Sequence, residues 1–168
     1  SKSSINQLII GGVLFLCIWI NIDDIFLLLP EKFMQGKWVV FYIGIAQLFS
    51  MASGVNAAII INSKFYRYDL YTNIILFFLT LITNFVLIPI YGIDGAAIAT
   101  ALSIFFFNFI RIVLLKIKIK MHPFSKDTVI TILLLVGLYF ILSLLPHMGY
   151  PFVDIVLKSL LVFIVVIP

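Results

Sequence analysis

Charge is what this sequence has least of. Only 11% of its 168 residues are Asp, Glu, Lys or Arg, against about 25% in an average soluble domain. With 64% of the residues hydrophobic, there are too few ions to build a water-facing surface. A soluble domain of roughly 150 residues buries only about 70% of what its unfolded chain exposes. Much apolar surface would therefore stay in water. Cysteine is nearly absent as well. The single Cys17 lies inside an apolar run, which excludes a disulfide framework and reads as a small buried hydrophobe. The two histidines, His122 and His147, each stand beside a proline with no Cys or carboxylate clustered around them, so no metal site is expected. There is no Gly-x-Gly-x-x-Gly, no P-loop and no Gly-x-Ser-x-Gly. No catalytic residue, cofactor or metal is expected, and the chain is not read as an enzyme.

What is present is length in apolar runs. A membrane-spanning helix needs roughly 20 predominantly apolar residues, and six stretches qualify or nearly so: about 5–22, 38–61, 70–88, 95–115, 128–145 and 152–167. The mean hydropathy of the chain is +1.25. The breaks between runs carry turn chemistry: Pro30 and Gly36, Asn62-Ser63-Lys64, Pro89 to Gly92, His122-Pro123, and Pro146 to Pro151. A proline just past a helix end stops it, because it lacks an N–H and its ring clashes. Strands are not expected, since a transmembrane barrel needs alternation over about ten residues and these runs are continuous. The fold expected is an all-α, polytopic transmembrane bundle of about six helices, one region over residues 1–168. The first run resembles a signal anchor in position, yet no small-residue cleavage site follows it, so it reads as a helix that stays. The absence of an initial Met and the end at Pro168 inside an apolar run read as a portion cut from a longer chain.

The basic residues explain the net charge of +4. Lys2, Lys64, Arg67, Arg111, Lys116, Lys118, Lys120 and Lys126 fall on one side of the expected bundle, and Lys32 and Lys37 on the other. The positive-inside rule then places the N-terminus in the cytoplasm. The partner implied is membrane lipid, not nucleic acid. Lys116-Ile117-Lys118-Ile119-Lys120 suits an interfacial segment whose lysines snorkel toward water. The short connections leave no sizeable loop for the catalytic groups of a membrane glycosyltransferase or polymerase.

Polar and small residues inside the runs are the candidates for function. Ser50, Gly54 and Ala58 recur at intervals of four, as do Gly95, Ala99 and Ser103. Such small-xxx-small stripes let helices approach closely, and a surface that slides during transport is the other reading. Gln47, Ser50, Asn56, Asn73, Thr80, Asn84 and Asn108 are polar groups where an unpaired one costs several kcal/mol. They could line a hydrated substrate cavity or act as interhelical hydrogen-bond glue. Arg111 could meet an anionic headgroup or a pyrophosphate, or snorkel. Asp23 and Asp24 are candidates for a coupling-ion site or for the cap of a short interfacial helix over 25–29. Asp154 and Lys158, four residues apart, are close enough to pair with each other; a proton relay is the other reading.

The stretch from Ile82 to Ser103, ITNFVLIPIYGIDGAAIATALS, resembles a signature of bacterial polysaccharide biosynthesis proteins, in which a helix ending in Asn-x-x-Leu-Ile-Pro-x-Tyr-Gly runs into Gly-Ala-Ala-x-Ala-Thr. Residues 36–56 and 63–69 look similar to the same family. These are lipid-linked oligosaccharide flippases of the multidrug/oligosaccharidyl-lipid/polysaccharide exporter superfamily. The resemblance covers residues 20–125, and the rest by hydropathy alone. It implies a two-lobed transporter in a bacterial inner (cytoplasmic) membrane. The cargo would be an undecaprenyl-pyrophosphate-linked oligosaccharide, moved by alternating access. The chain would then be a C-terminal portion that needs a missing N-terminal lobe, and the protein would work as a monomer. A drug or ion antiporter of the same superfamily, a membrane glycosyltransferase or polymerase, and a small accessory membrane protein are the alternatives. The antiporter reading would ask for acidic residues central to the first five helices, and the sequence puts none there.

Overall fold

A computed structural model describes residues 2–30, 33, 36–54, 56–119, 126–144 and 151–166. Within them the protein is all-α, with no strand. The helices are α1 (Lys2–Ile20), α2 (Ile22–Leu28), α3 (Lys37–Ser53), α4 (Asn56–Ile61), α5 (Tyr66–Leu114), α6 (Lys126–Ser143) and α7 (Pro151–Val166). A π-helical turn, Leu115–Ile119, closes α5. The expected turns at His122-Pro123 and from Pro146 to Tyr150 lie outside the described residues, as does Lys32.

The helix α1 is the hub, packing against α3, α6 and α7. Its apolar stripe meets the last two helices in a core of Val13, Leu16, Leu138, Leu142 and Val162. On its other side α3 packs on α1 and, more extensively, on α5, where Phe49 meets Phe105 in a tilted ring pair with centroids 4.6 Å apart. The short α2 turns off at Asn21 and lies against α7.

The helix α5 is not one rod. Gly92 stands inside it at φ 59°, ψ −130°, a positive-φ backbone outside the left-handed helix that costs an L-residue about 1–3 kcal/mol and glycine little. The chain reverses there. Arg111 pairs with Asp69, Thr83 reaches Ser103 and the Ala99 carbonyl, and Gly95 faces the Leu87 carbonyl. These pairings run antiparallel about a single residue. Residues 66–91 and 93–114 are thus two arms of about 26 and 22 residues, about 39 and 33 Å long at 1.5 Å per residue.

Three boundaries differ from the sequence reading. Pro89 does not end its helix; the arm continues through it to Tyr91. A proline in the last turn forfeits one hydrogen bond while the chain is already about to reverse. The run 38–61 is not one helix but two, broken at Gly54, whose φ of 71° and ψ of −149° are not helical. There Gly54 sits so close to Ser4 of α1 that any side chain would overlap it. The stripe Ser50, Gly54, Ala58 is therefore interrupted in its middle, and the Ala58 and Asn56 side chains lie outside the described residues. The short helix after Asn21 spans Ile22–Leu28, with Asp23 and Asp24 in its first turn and not at its cap.

By length and composition, two helical stretches are long and apolar enough to cross a membrane: Ser3–Ile20, and the 53 residues of Tyr66–Lys118. The second is the hairpin with its closing turn. Lys37–Ser53 and Asp127–Ser143 are shorter apolar helices.

Candidate functional site: buried charges and two adjoining cavities

Among the described residues, Gln47, Ser50, Asn73, Thr80, Asn84 and Asn108 line neither of the two cavities described below. Gln47 and Asn73 are exposed. Asn73 donates back to Asp69 of its own helix. Asn84 donates to the Thr80 carbonyl at 2.7 Å, and buried Asn108 to the Ile104 carbonyl at 3.0 Å. Both are satisfied one turn back along their own arm, a bond that removes the cost of a buried amide without recruiting a neighbour. Ser50 is half-buried on α3.

The stripe on the second arm is at work in packing. Gly95, Ala99 and Ser103 are buried. Ser103 Oγ donates to the Ala99 carbonyl at 2.8 Å and lies 3.2 Å from Thr83 Oγ1. A Cβ on Gly95 would overlap the Leu87 carbonyl oxygen, so only glycine allows the arms this approach. Thr83, which the sequence reading passed over, is the polar link across the seam. Its spacing of four from Leu79 gives no sign of a partner twenty residues on.

Arg111 does not snorkel. It is buried against Asp69, and its guanidinium lies 4.1 Å from the Phe107 ring centroid. Its Nε has no partner among the described residues. The pair joins the two open ends of the hairpin. Beyond it Lys116 and Lys118 are exposed, and the Lys118 ammonium sits 5.7 Å from the Tyr68 ring.

Asp23 and Asp24 part company. Asp23 forms an exposed pair with Lys37, of a kind worth about 0–1 kcal/mol. Asp24 turns inward to Lys158 of α7, which donates to its Oδ2 at 3.2 Å; the two side chains are only 7% and 6% exposed. The local pairing of Lys158 with Asp154 expected from their spacing is thus not the whole arrangement. A bond across 134 residues holds α2 to α7. Asp154 is buried on the same face, one turn away from Lys158, and is itself partnered. Its place in the first turn of α7 lets the helix dipole favour its charge. Asn21, wholly buried, donates to the Cys17 carbonyl at 2.8 Å and to Ser159 Oγ at 3.3 Å. Its Oδ1 has no partner among the described residues.

Two cavities lie nearby, the smaller of them at this corner. One, of about 190 Å³, is lined by Trp19, Asp23, Lys37, Tyr139, Ser143 and Lys158 among others. The other, of about 730 Å³, lies between α1, α3 and α6 and is almost entirely apolar. Trp19 and Tyr139 form walls of both. Among the described residues no three His, Cys, Asp or Glu side chains gather as a metal centre. No protein family, curated protein or solved structure matches this chain.

Proposed function

We propose that this chain is a membrane-embedded portion of a transporter, with α1, α3–α4, the two arms of α5, α6 and α7 as six crossings. Its cargo is a lipid-linked oligosaccharide, flipped across a bacterial cytoplasmic membrane by alternating access with a lobe outside this chain. The observation that carries the membrane part is the hairpin. Each arm is as long as a hydrocarbon core of about 30 Å. Its free face is a row of exposed apolar side chains including Phe77, Phe78, Leu81, Ile82, Phe85 and Val86, with Phe85 84% exposed. A patch of this kind does not persist in water. Thr83, Asn84, Thr100, Ser103 and Asn108 bond to carbonyls of the hairpin itself, as lipid demands. The cargo rests on the resemblance of residues 82–103 to the flippase signature.

Topology and transport test the two parts separately. In a Cys17→Ser background of the complete protein, single cysteines at Lys37 and Lys116 should react with a membrane-impermeant maleimide from opposite sides of the membrane. Labelling of both from the same side would overturn the six-crossing reading. The complete protein in liposomes should expose a labelled undecaprenyl-pyrophosphate oligosaccharide to an external glycosidase over time, faster than protein-free vesicles. Equal rates would remove this cargo.

A second reading, ion-coupled export by a member of the same superfamily, is favoured by the burial of Asp24 and Asp154. Uptake of a cation against efflux of a drug by the same vesicles would select it.

A further inference from the structure

The hairpin is electrically one-sided. Between Asp69 and Arg111 its one charged residue is Asp94, beside the reversal. Four cations stand at the open end, all exposed: Lys64 and Arg67 where the first arm begins, Lys116 and Lys118 on the π-helical turn that closes the second. The fold brings these sequence-distant pairs to one aromatic platform. The Phe65 and Tyr68 rings are 6.0 Å apart. The Lys64 ammonium lies 5.2 Å from the first ring and the Lys118 ammonium 5.7 Å from the second. Phe65, Tyr68 and Lys118 also share the wall of one small pocket. Arg67 lies over the neighbouring Tyr66 ring at 5.9 Å.

No local anion neutralises this end. Asp69 is taken by Arg111 and Asn73. Among the described residues no carboxylate pairs with any of the four cations. Like charges on one end repel, and an anion held between them removes that repulsion. The surroundings select a lipid over a free anion. Tyrosine rings belong at the headgroup level of a bilayer, and basic clusters beside a spanning helix recognise acidic headgroups. Ile117, between the two lysines of the turn, is 64% exposed and needs an apolar neighbour such as an acyl chain.

We propose that Lys64, Arg67, Lys116 and Lys118 together hold the headgroup of an acidic phospholipid at the open end of the hairpin. The lipid bridges the two arms where Arg111 and Asp69 already join them. This site rests on the membrane-embedded reading and is independent of the cargo.

The test uses the complete protein in neutral detergent micelles. Phosphatidylglycerol should raise its unfolding temperature above that reached with phosphatidylcholine of the same chains. The lipid concentration giving half the rise measures affinity. Replacing one cation by Gln should raise that concentration about fivefold, the factor for one basic residue near an acidic surface. Lys64→Gln combined with Lys118→Gln, one from each side of the hairpin, should raise it about 25-fold. Lys64→Arg with Lys118→Arg should leave it unchanged. Equal rises with the two lipids in the parent protein would overturn the proposal without any variant. So would a phosphatidylglycerol rise that survives the double Gln change. An equal rise with inorganic phosphate at matched ionic strength would overturn it too, by making the ligand a free anion. Opposite-side labelling of positions 37 and 116 without lipid selectivity would remove this site alone and leave the six-crossing reading standing.

Discussion

Along the seam between the Arg111–Asp69 pair and Gly92 the hairpin of residues 66–114 hides hydroxyls and amides. Where α2 meets α7 the molecule hides whole charges. The hairpin seam is made of the smallest side chains, Gly95, Ala99 and Ser103, facing Thr83 and the Leu87 backbone. Close approach does the holding, and Thr83 and Ser103 are bonded to each other and to carbonyls nearby. The α2–α7 corner is joined by Lys158 and Asp24 at 3.2 Å, groups that are costly to desolvate and costly to separate once desolvated. The difference concerns what each region tolerates. The seam is sensitive to volume above all, because between the Arg111–Asp69 pair at its open end and Asp94 beside the reversal its facing side chains are uncharged. The corner is sensitive to charge above all.

Removing one ion should break the corner hardest. Lys158→Met is expected to cost about 3–5 kcal/mol, the usual penalty for stranding a buried charge, measured as SDS or thermal unfolding of the complete protein in detergent. Asp24→Asn added to it should recover part of the loss, while the same Asp24→Asn change alone should destabilise. On the hairpin the volume rule is tested by Gly95→Ala, whose added Cβ overlaps the Leu87 carbonyl oxygen. About 1–3 kcal/mol is expected, as for overpacking elsewhere. Gly92→Ala sharpens the same comparison by changing conformation without volume. Nothing lies within 4 Å of a Cβ there, so only the positive φ resists, at about 1–3 kcal/mol. The smallest effect falls on Thr83→Val, which keeps the shape and deletes the link to Ser103; about 0.6 kcal/mol is expected. Should Thr83→Val rival Lys158→Met, the division of the molecule into a volume-limited and a charge-limited region is wrong.

Much of the helical layout is legible in the sequence because hydropathy and turn residues are local signals. The reversal near Gly92 and the small-faced helix beginning close to Gly95 follow from such signals. Two boundaries were harder to read for a physical reason. Glycine inside an apolar run is ordinary in membrane helices, so nothing in the sequence marks Gly54 as a break until Ser4 is found pressed against it. Proline normally ends a helix, yet Pro89 sits so near the reversal that one lost hydrogen bond matters little. The buried ion pair was the least visible. Lys158 has a carboxylate four residues away, and spacing alone favours that neighbour; the partner it bonds across the fold is 134 residues distant. In the sequence Gln47, Ser50, Asn56, Asn73, Thr80, Asn84 and Asn108 are open between a hydrated cavity and interhelical hydrogen-bond glue, and the amides of Asn73, Asn84 and Asn108 bond instead one turn back along their own helices. A polar face read from periodicity cannot distinguish that from a wet wall.

One consequence of the single-residue reversal at Gly92 concerns how the protein is made. A hairpin without a loop offers the ribosome-bound insertion machinery no polar tether at which to pause between arms. If the first arm entered lipid alone, Thr83 would wait there for Ser103, and Asp69 would lack Arg111 until the second arm was synthesised. On the membrane reading proposed above, the two arms would enter the bilayer together, as one preassembled unit. A tag or glycosylation acceptor spliced in beside Gly92 would then disturb biogenesis before it disturbed anything the finished protein does.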